Sequence, residues 1–279
     1  MTKKLEQWQD LDRKHYLHPF TDYNQLSKQD SRVFTKGEGI YIWDAEGHQV
    51  LDSMSGLWCV NLGYGRTELI EAAHQQMQEL PYYNSFFQCA HPPAIELGEI
   101  LSEIAPDGFS RVFYTGSGSE ANDTVVRLVR RFWQLQDKPD KQIIIARKNA
   151  YHGSTIAAAS LGGMEGMHTQ GAGIPIPNII HIAQPYWFQE GRDIDPNTFG
   201  IAVAEELEKA IDHHGIDKIA AFIAEPIQGA GGVIIPPETY WPAIQRICDD
   251  NEILLVADEV VTGFRSEERR VGKECRSRW

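Results

Sequence analysis

Carboxylates stand where chemistry is most often found in an α/β protein, at the ends of two buried-looking apolar runs. "AAFIAEP" delivers Glu225 and "ILLVADE" delivers Asp258 and Glu259. A carboxylate at such a strand end is costly to desolvate unless a cation or hydrogen-bond donors meet it, so at least one of these groups requires a partner. A protonated pyridine nitrogen is one candidate: an aspartate facing it keeps the ring charged and able to accept electrons from a substrate carbanion. For Glu225 a structural carboxylate bonded to backbone is the competing reading.

Two further stretches supply other parts of a site. "FYTGSGSEAND" reads as a strand, a glycine-serine turn and a helix start, in which exposed backbone N–H groups beside the small Ser117, Gly118 and Ser119 make a good site for a phosphate dianion. Gly116, Gly118 and Ala121 also satisfy a loose G-x-G-x-x-A, so a dinucleotide site and a plain serine-capped turn remain open on these residues. "NAYHGST" follows another apolar run, and Tyr151 there is able to stack on a flat ring, a contact on the order of 1 kcal/mol, or to act as an ordinary core aromatic with His152 hydrogen-bonded beside it.

The elements that must position these residues are legible in the periodicity. Residues 33–52 alternate apolar and polar about Asp44-Ala45-Glu46-Gly47 and predict a β-hairpin. Helices are expected over 68–80 and 93–104. From Ser110 onward, short apolar runs ("RVFYT", "QIIIAR", "IIHIA", "IAAFIAEP", "ILLVADE") alternate with helices starting near Ser119, Phe199 and Pro237. That alternation predicts an α/β fold, a mostly parallel sheet covered by helices, with ligands gathered at the carboxyl ends of its strands.

Composition narrows the function classes. The 279 residues carry a formal net charge of −13, and the last fifteen hold six Lys/Arg and three Asp/Glu, leaving 20 basic and 36 acidic side chains in the body. Such a body does not hold nucleic acid or anionic membrane by general electrostatics; its acidity serves solubility and would also favour cationic substrates such as amines. Cys59, Cys89, Cys248 and Cys275 form neither a C-x-x-C pair nor a disulfide framework, so a cytoplasmic compartment is expected and no metal is. The N-terminal segment lacks the apolar core of a signal peptide, and no apolar run approaches the ~18 residues of a membrane span.

Taken in order, "SGLWCVNLGYGR", "HPPAIELGEIL", "GSGSEANDT", "YHGSTIAAASLGG", "FIAEPIQGAGGV" and "LLVADEVVTGF" resemble the class III, or ω-amino-acid, aminotransferases of fold type I among the pyridoxal-phosphate enzymes. The resemblance covers nearly all of residues 5–264 and is strongest to enzymes that pass amino groups from polyamines such as putrescine, or from β-alanine-like acids, to pyruvate. It implies pyridoxal 5'-phosphate as cofactor, with Gly118 and Ser119 on its phosphate, Tyr151 stacked on its ring, Asp258 at the pyridine nitrogen and Val260 on the opposite face. His152 and Glu225 would support the site. Phe20, Trp58, and Phe86 from a second subunit would line the substrate pocket beside Tyr151, in a homodimer. It also implies a small-domain segment over 1–55 and a large cofactor domain over 56–264.

Two features depart from that pattern. The family's Schiff-base lysine is expected roughly thirty residues beyond the strand-end aspartate, whereas the single lysine after Asp258 is Lys273, in a charged segment without family character. Residues 265–279 resemble a translated sequencing adapter, with a short native interaction tail as the alternative. The expectation is a C-terminally incomplete aminotransferase, inactive as written for want of the lysine that holds the cofactor and moves the substrate proton. An aminomutase of the same family, a non-catalytic or misfolded scaffold and a nicotinamide-dependent oxidoreductase are the competing readings.

Overall fold

A computed structural model describes residues 4–171 and 173–263. The chain divides into two compact units, Met1–His91 and Pro92–Trp279. The tail from Arg265, with Lys273, lies outside the described residues.

The first unit holds helices α1 (Leu5–His15) and α2 (Thr67–Glu79) and an antiparallel sheet of β1 (Phe34–Glu38), β2 (Tyr41–Asp44) and β3 (Gln49–Leu51) in that order. The expected hairpin is β2–β3, with Trp43 opposite Gln49 and Tyr41 opposite Leu51. Its turn closes because Asp44 Oδ1 accepts from the N–H groups of Glu46 and His48 at 3.1 and 2.9 Å, the side chain standing in for a backbone turn bond. A further strand, β1, was not separated by the sequence; it pairs with β2 across Gly39, whose φ of +58° suits glycine.

The second unit contains α3 (Pro92–Ile104), α4 (Gly118–Leu135), β4 (Ile143–Arg147), α5 (Ile156–Leu161), β5 (Ile179–Ile182), α6 (Pro196–His214), β6 (Ile219–Ala224), α7 (Tyr240–Asp250) and β7 (Leu254–Ala257). The strands form a parallel sheet in the order β5-β4-β6-β7, as the alternation predicts. Side chains leave it on alternate faces. Ile143 and Ile145 of β4, Phe222 of β6 and Leu255 of β7 meet Phe199, Leu207, Tyr240 and Ile244 of α6 and α7. Ile144, Ala146 and Ile223 meet Val126, Val129 and Trp133 of α4 and Leu161 of α5 on the other face. Each fully buried isoleucine contributes about 1.5–3 kcal/mol relative to exposure, which is why near-continuous β-branched runs become central strands.

The run Arg111–Thr115 departs from expectation: it is not a strand, and Phe113 is 71% exposed. Its β-branched and aromatic composition satisfies the local preference, but it finds no ladder partner among the described residues, and pairing rather than propensity decides a strand. Among the described residues no helix is long and apolar enough to cross a membrane.

Candidate functional site at the carboxyl end of the sheet

The strands run parallel in register, so the residues after β4, β6 and β7 emerge on the same edge. Ala224 pairs with Ala257 in the β6–β7 ladder, which sets Glu225 and Asp258 side by side in the next position. The Asp258 N–H continues the ladder to the Ala224 carbonyl at 2.9 Å.

Asp258 is nearly buried and fully engaged. Its Oδ2 accepts from Asn122 Nδ2 at 3.0 Å and faces His152 Nδ1 at 2.8 Å, while Oδ1 accepts from the Val260 N–H at 3.2 Å. Burial pushes the carboxyl up, but the His152 hydrogen bond and charge, the Asn122 amide and the Val260 N–H outweigh it, and the group sits below the usual aspartate value of 3.8. An ionised carboxylate only accepts, so the Nδ1 of His152 carries the shared proton. The Nε2 of His152 is buried and has no hydrogen-bond partner among the described residues.

Glu225 is buried too, with a different fate. Its Oε1 accepts from the Tyr151 N–H at 3.0 Å and its Oε2 from the Gly229 N–H at 2.9 Å. Burial dominates here and raises the carboxyl above its ordinary value, against those two N–H groups and the charges of His152 and Arg147. The carboxylate thus ties the loop after β4, which carries Tyr151, to the loop after β6.

The glycine-serine turn leads into α4 as expected. Ser117 is its N-cap, its Oγ accepting from the Glu120 N–H at 3.2 Å. Glu120 Oε2 in turn takes the Gly116 N–H at 2.7 Å, so the first glycine of the loose dinucleotide pattern is already committed. Ser119 Oγ accepts from the Ser154 N–H at 3.0 Å, joining the helix start to the Tyr151 loop. The approach is close: a Cβ on Gly153, at φ +131°, would lie 2.4 Å from Ser119 Oγ, and one on Gly118 would lie 3.2 Å from Val260 Cγ2.

Gly118, Ser119, Tyr151, His152, Glu225, Asp258 and Val260 are therefore brought together at one end of the second unit's sheet. Val260 is 71% exposed and Tyr151 half-buried, so an apolar group and a flat ring are presented beside an ionised carboxylate and a helix start. That donor set fits a planar cation bearing a phosphate. Phe20, Trp58 and Phe86 lie in the first unit, each exposed.

Asn122 escaped the sequence reading, although it bridges Asp258 Oδ2 and the His152 carbonyl, the latter at 2.8 Å. Its signal was available: counting by three and four from Ser119 along α4 reaches Asn122, Val126, Val129 and Trp133, an apolar stripe interrupted by one amide. Asp123 escaped likewise; its Oδ1 accepts from Thr155 Oγ1 at 2.7 Å and the Ala158 N–H at 3.1 Å, securing the start of α5.

A parallel α/β unit with this constellation at its strand ends defines a class, and the sequence agrees: the family model described as "Aminotransferase class-III" matches residues 23–273, and the chain belongs to that family. Among individual relatives, it is 58% identical over 261 residues to the putrescine–pyruvate aminotransferase of Pseudomonas aeruginosa, covering 94% of this chain and 57% of that one. It is 40% identical over 260 residues to the diaminobutyrate–2-oxoglutarate transaminase of Halomonas elongata, covering 91% and 55%. An (S)-enantioselective ω-transaminase from Thermomicrobium roseum superposes with a TM-score of 0.91 at 40% identity, over 95% of this chain and 59% of that one. The ω-transaminase of Pseudomonas jessenii in complex with PMP gives 0.89 at 43% identity, over 92% and 56%. The chain thus spans little more than half the length of the relatives it matches.

Proposed function

We propose that the protein is, or is part of, a pyridoxal-phosphate-dependent transaminase that moves a terminal amino group from a polyamine or ω-amino acid, putrescine foremost, to pyruvate by a ping-pong cycle. The observation that carries this reading is the ionised Asp258 carboxylate, clamped by His152 and Asn122 next to the α4 start. When bound, pyridoxal phosphate would supply an electron-accepting ring that makes the proton beside a substrate amine labile. Asp258 would hold the proton on the pyridine nitrogen, His152 and Asn122 would fix that carboxylate, and Gly118 and Ser119 would receive the phosphate. Tyr151 and Val260 would bear on the two faces of the ring, with Glu225 anchoring the Tyr151 loop.

The amine and the acceptor are proposed from the identity to the Pseudomonas aeruginosa enzyme. Phe20, Trp58 and Phe86 as substrate contacts, the homodimer, the division near residue 55 and the cytoplasmic location are proposed from the sequence resemblance and the cysteine pattern alone. Because Lys273 is the single lysine after Asp258, the 279-residue chain by itself is proposed to bind cofactor with little turnover.

Titrating the chain with pyridoxal phosphate by absorbance, with NAD in parallel, tests the cofactor. Saturable pyridoxal phosphate binding weakened by Asp258→Ala is expected, whereas preference for NAD, or binding indifferent to that substitution, would overturn the reading. Adding putrescine and pyruvate and measuring alanine then tests turnover: a rate like that of an intact relative refutes the inactivity of this chain.

A further inference from the structure

Arg147 is the last residue of β4 and is completely buried. Its Nη2 donates to the carbonyl oxygen of Glu225. The guanidinium carbon lies 5.8 Å from the ring centroid of Tyr240 and 5.6 Å from that of Trp241, both on α7. Nε and Nη1 have no hydrogen-bond partner among the described residues. Arginine keeps its charge in proteins, so a permanent cation sits inside the sheet–helix layer with one carbonyl and two aromatic rings around it. Among the described residues none of those contacts is an anion, and a buried cation in that position demands one within reach.

The charged and titratable groups around Glu225 and around Arg147 come from each element that packs on the two. Arg147 closes β4, His152 belongs to the loop beyond it and Asp258 follows β7; Tyr240 and Cys248 of α7 are kept protonated by burial, Cys248 pushed up to about 12. Arg147 is the group among these whose positive charge does not depend on pH. A buried carboxyl without such a neighbour neutralises itself. Once protonated, Glu225 would offer one good acceptor oxygen where two N–H groups now require acceptors.

We propose that Arg147 is a positioning residue: its fixed buried charge keeps the Glu225 side chain ionised, and the ionised side chain holds the Tyr151 and Gly229 backbone N–H groups, and so the loop that presents Tyr151 and His152. Arg147 touches no reacting group itself. That the ordered loop then serves a cofactor rests on the function proposed above, but loop order is measurable with no cofactor present, so the two can fail separately.

Hydrogen exchange at single amides of the 279-residue chain, corrected for intrinsic rates, tests this at about pH 6 and about pH 9. In Arg147→Met the Tyr151 and Gly229 amides should lose about tenfold in protection at the lower pH, the equivalent of one pKa unit, and recover much of it at the higher pH as Glu225 ionises unaided. The Val129 amide inside α4 should not change. Arg147→Lys, which keeps a charge, should remain close to the parent. Unchanged protection of both amides in Arg147→Met, or a loss equal at both pH values, overturns the proposal. If Arg147→Met also strips protection from Val129, the double variant Arg147→Met/Glu225→Gln decides: with neither charge left to bury, Val129 protection should return, and its failure to return overturns the proposal as well.

Discussion

His152 Nδ1 lies 2.8 Å from Asp258 Oδ2, tying the loop beyond β4 to the end of β7 across 106 positions of sequence. Both groups are buried, and the carboxylate also accepts from Asn122 and the Val260 N–H, so exchanging one of its oxygens for an amide NH2 leaves at least one of these donors facing another donor in a site nearly closed to water. Asp258→Asn should therefore cost about 3 kcal/mol of unfolding free energy near neutral pH, measured by urea titration. The pH dependence has a defined sign. The carboxyl lies below its ordinary value of 3.8 in the folded state, so its contribution is complete above that value and is lost as pH falls through the folded one. The gap between parent and variant should be flat through the neutral range and close in acid; a gap that persists undiminished in strong acid would show that the pair acts by packing and not by charge.

Gly153 is the tightest point of the site. Its φ of +131° already disfavours any side chain, and an added Cβ would meet Ser119 Oγ at 2.4 Å, Ala158 Cβ at 2.8 Å and Ser119 Cα at 2.9 Å. Two of these are not ends of flexible side chains, so relief requires the α4 start or α5 to shift. Gly153→Ala should destabilise by about 2 kcal/mol or more, seen as a lowered urea midpoint. The Ser119 hydroxyl cannot move aside without giving up the Ser154 N–H, so combining it with Ser119→Gly should recover part of the loss.

How much of this was legible beforehand follows from which interactions are local. The runs that became β4, β5, β6 and β7 announce themselves because burial on both faces selects β-branched residues one after another, and a parallel sheet then fixes which edge Glu225 and Asp258 share. "RVFYT" has the same composition, yet remains unpaired among the described residues, because a ladder partner is a property of the fold and not of five residues. Asn122 and Arg147 were missed for a related reason. A polar side chain within an apolar stripe or at a strand end does not reveal its partner from sequence when that partner, Asp258 or Glu225, lies 136 or 78 positions away. The glycines at 118 and 153 were visible as glycines, but the contacts that forbid a side chain at 153 and crowd one at 118 exist only once α4, the Tyr151 loop and Val260 are assembled.

His181 on β5 provides a second pH-dependent element, away from Asp258. Its Nε2 donates to the Leu161 carbonyl at 3.1 Å, and its ring centroid is 5.3 Å from that of His168. Burial first, and then the His168 charge, lower its value from the ordinary 6.5, against the pull of the Leu161 carbonyl. The folded state thus keeps this imidazole neutral where the unfolded chain would protonate it. Stability is complete above the unfolded value and falls as pH drops below 6.5 towards the folded one. His181→Gln, which retains a donor without a titrating group, should flatten the unfolding free energy across that window; a parent curve already flat there would mean that His181 titrates alike in both states.

Tyr151 separates loop order from ring contact, since Glu225 Oε1 holds its backbone N–H at 3.0 Å and leaves the side chain to other duties. Substituting the side chain does not cut that tether. If the phenol ring bears on a bound pyridine, Tyr151→Ala should weaken pyridoxal phosphate binding about fivefold, the equivalent of about 1 kcal/mol of stacking, and Tyr151→Phe should bind nearly as the parent does. Glu225→Gln should weaken it by a different route, through loss of acceptor strength towards Tyr151 and Gly229, and should therefore also lower hydrogen-exchange protection at those two amides, which Tyr151→Ala should leave in place. Absorbance titration and amide exchange on the same three variants distinguish the two contributions. If Tyr151→Phe loses as much affinity as Tyr151→Ala, the hydroxyl and not the ring face makes the contact, and stacking is the wrong account of this residue.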